Sequence, residues 1–586
     1  MAKLLLVGIC KPYGVDDEYG EALCTMELLN NQVTREQGIH SPRSNNPSFA
    51  LYMLAENIDV ETTVLDFPDW KGFTKEIDKG SYTHVGISFI VPNVYKAKRM
   101  AEYVRQKTPE TKIILGGHGA GTPDLKDIVD CDEICLGEGI SWLRRYFCED
   151  ADKPITHPVV RSATTKYVYG APIRDEGATI IPGVGCQNAC RFCATSHKFE
   201  KQYTPFLRSG KDIFDACLAA EKKFGVDDFV MMDENFCKSP IRARQLLTEM
   251  EKYGRAYAFS IFSSADAVTK LGVDFLVRMG VNFIWIGVES KWNIFEKTHN
   301  IDLHSLIREL QDHGTAVLAS SILFLEHHDK EKILEDIDWA IGLESNLLQF
   351  MQFGPIPGTQ LYKDYEAEGK LMMDIPWDKQ HGQDEIWFHH PHFTLPETSQ
   401  YLKDAFIKKY ETHGPGILNM AYTAIRGWIN LKKVTREREE KGLVWNPETL
   451  RYDKHHSPKP DEFMKLRIQS WEDDALKFRP MLSSAKKYAP NKKAAEKADM
   501  VIELYNEVFG KPTMKDRAMD AVVRIFAIIE NFRYKKNGVV MRQPGTNRVE
   551  YPDRSRPGRF APKSQMRSKH GKSNGTGRKS ALTIGR

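Results

Sequence analysis

The sequence predicts an α/β protein in three parts: a doubly wound parallel sheet, a partial (βα)6 barrel, and a mostly α-helical C-terminal domain. Three observations predict it. Short β-rich runs alternate with helical periods through the first 150 residues. The alternation resumes near residue 176 and repeats six times. From about Leu395 the strand signal fades and amphipathic helices follow one another. A chain of 586 residues holds about three domains at roughly 150 residues each. The expected divisions are a sheet domain at 1–150, a polar, Pro-containing linker at 151–175, a barrel at 176–395, a helical domain at 396–552 and a basic tail at 553–586.

Composition narrows the classes. A hydrophobic content of 41% supports ordinary cores. A net charge of +3 calls for no specific nucleic-acid partner. Ten cysteines in a chain this long do not form a disulfide scaffold, which points to a reducing, cytoplasmic setting. The apolar start, Lys3 to Ile9, is too short for a signal peptide and reads as a first buried strand. No apolar run reaches the ~18 residues of a membrane span.

In the sheet domain, strands are expected at Lys3–Ile9, Val60–Phe67, His84–Ile90, Lys112–Leu115 and Glu133–Leu136, with a helix from Tyr95 to Gln106. Such sheets bind ligands at the carboxyl ends of their strands. Those ends carry Ser88, the turn Gly116-Gly117-His118-Gly119-Ala120-Gly121, and Gly137-Glu138-Gly139. Glycine there admits positive φ and close backbone approach.

In the barrel, strands are expected at about 179–185, 228–233, 256–263, 282–288, 315–325 and 347–353. Chemistry in such barrels gathers at the carboxyl strand ends. After the first strand comes Gly185-Cys186-Gln187-Asn188-Ala189-Cys190-Arg191-Phe192-Cys193, a C-x3-C-x2-C run. Close thiolate spacing on one loop is how a chain wraps an iron–sulfur cluster. Three ligands leave one iron of a four-iron cluster open, and an open position binds a substrate or cofactor. Three structural thiols, or a zinc site lacking its fourth ligand, are the alternatives. The later ends supply Asp233-Glu234-Asn235, Ser263-Ser264, Gly287-Val288-Glu289-Ser290 and Gly354-Pro355-Ile356-Pro357-Gly358-Thr359.

These motifs, in this order, resemble the cobalamin-dependent radical S-adenosylmethionine (SAM) enzymes over roughly the first 395 residues. The resemblance implies a Rossmann-like cobalamin-binding domain ahead of a radical SAM core. It assigns a [4Fe–4S] cluster to Cys186, Cys190 and Cys193. It assigns SAM to Asp233, Glu234, Ser263, Ser264, Glu289, Ser290 and Pro357. It assigns cobalamin to Ser88, Gly116, Gly117, His118, Gly137 and Glu138. The loop after the first strand, Cys10-Lys11-Pro12-Tyr13-Gly14, lacks Asp-x-His-x-x-Gly, so no His is expected on cobalt from below.

The resemblance implies a methyltransferase acting on an unactivated carbon of a lipid, isoprenoid or natural product. The reduced cluster would cleave SAM to a 5′-deoxyadenosyl radical, and methylcobalamin would supply the methyl group. Cyclisation, rearrangement or carbon–carbon coupling is a second reading, and a non-catalytic cobalamin or redox sensor a third. A flavodoxin or ferredoxin would donate electrons.

The C-terminal helices are expected at Glu397–Glu411, Gly416–Arg438, Asp461–Leu482, Lys492–Phe509 and Lys515–Lys535. Gly416–Arg438 reads as a core helix with a charged end, or as an amphipathic face for a lipid or membrane surface. His389-His390-Pro391-His392 raises a metal reading that the intervening proline makes awkward. The Arg-, Lys-, Ser- and Gly-rich tail is expected to be disordered and by default solvated without a specific partner; its basic residues suit anionic head groups, as peripheral membrane contact, or RNA.

Overall fold

In the computed structural model, residues 2–20, 32–173, 176–292, 296–456, 460–538 and 541–554 are described. The expected basic tail lies outside them from residue 555 onward.

The first sheet contains β1 (Lys3–Gly8), β2 (Glu61–Asp66), β3 (His84–Ser88), β4 (Lys112–Gly116) and β5 (Glu133–Ile134). They lie in the order β2-β1-β3-β4-β5, all parallel. Leu5, Val7, Val85, Ile87, Ile113 and Leu115 are buried under flanking helices such as Val94–Lys107. Strands buried on both faces require the continuous apolar runs that the sequence contains. The order reverses between β1 and β3, which makes that carboxyl edge the crevice.

The second sheet begins with an antiparallel edge strand, β6 (Val160–Arg161), inside the expected linker. Six parallel strands follow in chain order: β7 (Gly177–Ile180), β8 (Asp228–Met231), β9 (Ala258–Ser263), β10 (Val281–Glu289), β11 (Ala316–Leu323) and β12 (Leu347–Gln352). Consecutive parallel pairing with intervening helices is the (βα)6 arrangement. It sets every strand-end turn on one edge.

Three expectations are corrected. The 151–175 linker is built into sheets: besides β6, Thr165–Val168 pairs with Arg43–Asn45 and with Ala171–Pro172. Where the helical pattern of the sequence runs over Val268–Met279 without a break, the chain forms two helices, Ala265–Leu271 and Val273–Met279, broken where Gly272 takes φ +82°. The last stretch assigned to the helical domain contains β13 (Asn547–Tyr551), which pairs antiparallel with β2 and edges the first sheet. Arg548 and Arg554 pin it through Glu76 and Glu56.

The helical region holds Leu395–His413, Gly416–Glu440, Glu462–Phe478, Lys492–Phe509 and Met514–Asn537, plus the hairpin Leu443–Asn446/Arg451–Lys454. Gly416–Glu440 is a core helix: Ile417, Leu418, Ala421, Ile425, Trp428 and Leu431 are buried. Its Gly427 meets Gly314 so closely that a methyl group would stand 2.0 Å from the Gly314 Cα. Burial on this scale contradicts a membrane-surface role for this helix. Among the described residues no helix is long and apolar enough to cross a membrane.

Lys409, on Leu395–His413, is buried and donates to the Ser345 carbonyl (2.7 Å). Burial, with Lys497 nearby, pulls its ammonium down to about 7. The folded value lies below the unfolded one, so the cost of burying this charge is largest at neutral and lower pH and shrinks as pH rises. Lys409→Met should therefore raise the melting temperature over wild type most near pH ~7 and least near pH ~10, as read by circular dichroism.

Candidate active site

The cysteine loop follows β7. Gly183–Val184 pairs with Thr204–Pro205 and leads into it, and Cys193 opens the short helix Ala194–Lys198. Gly185 takes φ +90°, and a methyl group there would stand 2.2 Å from the Gln202 carbonyl oxygen. Ala189 adopts φ +52° between the first two cysteines, a left-handed conformation that surrounding structure must enforce. The Cys193 N–H donates to the Cys190 carbonyl (3.0 Å), and Ser196 Oγ to the Cys186 carbonyl (2.7 Å). Arg191 ties the loop to the segment after β12: its Nε meets Asp364 (2.9 Å), and its carbonyl accepts from Leu361 N–H (3.1 Å). Phe192 packs edge-on against Phe353.

All three thiols are half-buried, whereas Cys10, Cys217 and Cys237 are buried in cores. Burial pushes the Cys186 and Cys193 thiols up, opposed for both by backbone N–H groups and Lys297. Among the described residues no three His, Cys, Asp or Glu side chains converge on one metal ion. A zinc site needs that convergence, as would a His389-His390-His392 centre. A four-iron cluster instead spreads three thiolates over three irons. The donor set and the accessible loop fit such a cluster.

The neighbouring strand ends divide into groups open to the site and groups that brace it. Asp233 braces. Its side chain is buried, held by Arg242 Nη2 (2.7 Å) and the Tyr203 hydroxyl (2.6 Å). A buried carboxylate with a buried cationic partner is held firmly in one geometry. Ser263 Oγ (2.9 Å) and the Ser264 N–H (3.0 Å) both donate to Asn235 Oδ1. Ser290 is buried too, and donates to Asp336 (2.6 Å), which also accepts from the Lys291 N–H and meets His328. That cluster clips the end of β10 to the helix Lys332–Gly342.

Glu234 is the carboxyl left to act. It has exposed surface of its own yet is surrounded by protein, and that desolvation, with Asp233 alongside, pushes it up to about 8; the Gly185 N–H, which donates to it, opposes this. Glu289 is paired with Lys297 and held at φ +59°. A methyl group on Gly287 would stand 2.2 Å from Glu289 Oε1, so glycine makes room for the pair. Burial works against the Lys297 charge, but Glu289, Cys190 and Cys193 hold its pKa above the ordinary value. Lys297, Arg242 and Tyr203 are not singled out by sequence, although Lys297 lies eight residues beyond Glu289.

The carboxyl edge of the first sheet faces this loop. A cavity of about 150 Å³ is lined by Ser88, Gly116, Gly117, Gly137 and Glu138 on one side, and by Lys198 and Phe199 on the other. The Gly turns make it: Gly117 and Gly137 take φ +85° and +75°, and a methyl group on Gly117 would stand 2.3 Å from the Phe89 carbonyl oxygen. The Glu138 carboxylate caps the next helix by accepting from Ile140 and Ser141 N–H. His118 Nε2 lies 3.4 Å from Thr195 Oγ1 on the cysteine helix. A methyl group on Gly121 would stand 3.7 Å from the Pro357 carbonyl oxygen, so the Pro357 turn also abuts this edge.

No family model matches the chain. An uncharacterised methyltransferase of Pyrococcus horikoshii is 20% identical over 394 residues, 59% of this chain and 82% of that protein. The cytidylyl-2-hydroxyethylphosphonate methyltransferase of Streptomyces wedmorensis is 20% identical over 197 residues, 32% of this chain and 36% of its own. The anaerobic magnesium-protoporphyrin IX monomethyl ester cyclase of Rubrivivax gelatinosus is 22% identical over 327 residues, 48% and 58% of the two chains. Among solved structures, the radical SAM methyltransferase TsrM of Kitasatospora setae, with cobalamin and a [4Fe–4S] cluster bound, matches with a TM-score of 0.48 and 14% identity, over 75% of this chain and all of that one. In motif, in strand order and in its relatives, the chain is similar to the cobalamin-dependent radical SAM enzymes.

Gly185→Ala forces a Cβ into both an unfavourable φ and the Gln202 carbonyl, at a cost of about 1–3 kcal/mol. It should lose most of its iron on anaerobic reconstitution. Gly225→Ala, at a helix end with open space around it, should cost about 1 kcal/mol and keep its iron.

Proposed function

We propose that this chain is a radical SAM enzyme that binds a [4Fe–4S] cluster, SAM and cobalamin and methylates an unactivated carbon. The observation that carries the reading is the wall shared by two sites. The helix that Cys193 opens also supplies Lys198, which lines the Gly-walled cavity of the first sheet. A group bound in that cavity and a cluster on the loop would stand on either side of one short helix. The two methyltransferase relatives support methyl transfer.

When bound, the reduced cluster and SAM supply a hydrogen-abstracting radical and cobalamin supplies the methyl group. Cys186, Cys190 and Cys193 would each hold one iron. Glu234, raised and open, would accept from the SAM ammonium group. Glu289 would face the ribose hydroxyls while Lys297 balances its charge beside the thiolates. Pro357 would lie along the adenine. Asp233, Ser263, Ser264 and Ser290 hold the turns in place from behind. Ser88, Gly116, Gly117, Gly137 and Glu138 would line cobalamin, with His118 on the side of the cysteine helix. Closing these groups between two sheets excludes water from a reactive radical.

An external flavodoxin or ferredoxin would supply electrons, and free thiols with an oxygen-sensitive cluster favour the cytoplasm. A lipid or isoprenoid chain is the substrate class we favour: a largely apolar chamber of about 520 Å³ lies along the barrel strands from their amino ends, with no residue of the cysteine loop in its lining. The cyclase relative supports a second reading, ring closure without methyl transfer. Methyl label passing from SAM into product separates the two.

Two substitutions separate the sites. Cys190→Ser should lose the iron–sulfur absorbance and cut 5′-deoxyadenosine formation by at least ~100-fold, while retaining cobalamin. Gly116→Leu should do the reverse, losing cobalamin on desalting and keeping the iron–sulfur band. Full deoxyadenosine formation by the first variant would remove the cluster from this loop.

A further inference from the structure

The helix Met514–Asn537 has an apolar face that the described chain leaves largely uncovered. Ile525, Ile528, Ile529 and Phe532 are 57%, 53%, 43% and 70% exposed. Their spacing, i, i+3, i+4 and i+7, sets them in one stripe. On the opposite face Val523 and Ala527 are buried, so the helix is anchored and the stripe faces outward. Single exposed apolar residues are ordinary; a continuous stripe marks a surface that is covered in use.

Charge indicates what covers it. The helix carries six basic side chains against three acidic ones; Arg524 and Arg533 are ion-paired with Asp520 and Glu530, and Lys535 and Lys536 stand just beyond the stripe. Apolar residues flanked by Lys and Arg suit the boundary of an anionic bilayer, where chains enter the acyl region and ammonium or guanidinium groups meet phosphates.

The same helix walls the apolar chamber. Lys515, Asp516 and Met519, from its first turns, line the chamber together with Phe262, Trp285 and Met420. Ser260 and Phe262 alternate along β9, and Phe283 and Trp285 along β10, so these side chains face the chamber from the strands themselves. The exposed stripe and the chamber thus share one helix.

We propose that the stripe Ile525–Phe532 is a peripheral membrane-docking surface selective for anionic lipid, which holds the chamber at the bilayer to receive an apolar, membrane-borne substrate. The substrate part of this proposal rests on the radical SAM reading; the docking part is tested without it.

The full reconstituted chain is floated on sucrose gradients with vesicles of phosphatidylglycerol and phosphatidylcholine, and with vesicles of phosphatidylcholine alone. Wild type should rise with the anionic vesicles, and raising salt should weaken this. Ile528→Glu/Phe532→Glu should reduce flotation at least ~10-fold, with unchanged circular dichroism and unchanged iron content. Lys535→Glu/Lys536→Glu should reduce it by a similar factor and flatten the salt dependence. Three outcomes overturn the proposal: no flotation of wild type, flotation that the first variant leaves unchanged, or a wild-type dimer on gel filtration that the first variant converts to monomer. The last would make a second copy the occupant. Iron content and deoxyadenosine formation are read on the same samples, so loss of docking with intact SAM cleavage leaves the cofactor assignment standing.

Discussion

Everything functional in this molecule depends on one apolar seam. Met53 and Ile140, from helices of the first sheet domain, pack against Ile181 and Phe206, which flank the cysteine loop, with Val184 and Met232 alongside. A close-packed seam tolerates little sliding. It fixes the carboxyl edge of one parallel sheet against the carboxyl edge of another. Each sheet alone presents glycine turns and polar ends at that edge. Together they enclose a cavity whose two walls come from different domains, and the helix opened by Cys193 is common to both sites.

Electrostatics sharpen the division of labour at the strand ends. Groups buried with a partner, Asp233 with Arg242 and Asp336 with His328, shape the turns. Groups whose protonation the surroundings disturb without fully satisfying, Glu234 above all, are those a cationic ligand would complete. Lys297 stands between these classes: it is paired with Glu289 yet is the cation that acts on the cluster cysteines.

Much of this was legible in the sequence, for reasons that can be named. Parallel strands buried on both faces are continuous apolar runs, so all six barrel strands and the five parallel strands of the first sheet stand out. The cysteine loop and the Gly turns declare themselves by residue types few other conformations need. What was illegible depends on partners far away in the chain. β13 pairs with a strand some 480 residues earlier, and nothing in Asn547–Tyr551 names that partner. Asp233 and Glu234 are adjacent acids; only the Arg242 side chain, one turn into the next helix, decides which of them is braced. Gly416–Glu440 and Met514–Asn537 both mix apolar and charged residues, and the sequence allows the first to be a core helix or a lipid face. Packing buries the first and leaves the second open, because the strands and helices that cover Gly416–Glu440 come from the barrel and from Glu462–Phe509.

The central claim is that two cofactor sites share the wall formed by one short helix. The most direct test is the electron paramagnetic resonance spectrum of the chain reconstituted with iron, sulfide and cobalamin, then reduced so that the cluster and cob(II)alamin are paramagnetic together. The account predicts a cob(II)alamin signal that is broadened or split when the cluster is reduced and simple when Cys190→Ser removes the cluster. A cob(II)alamin signal unaltered by the reduced cluster, or no cobalamin retained beside an intact cluster, would contradict it.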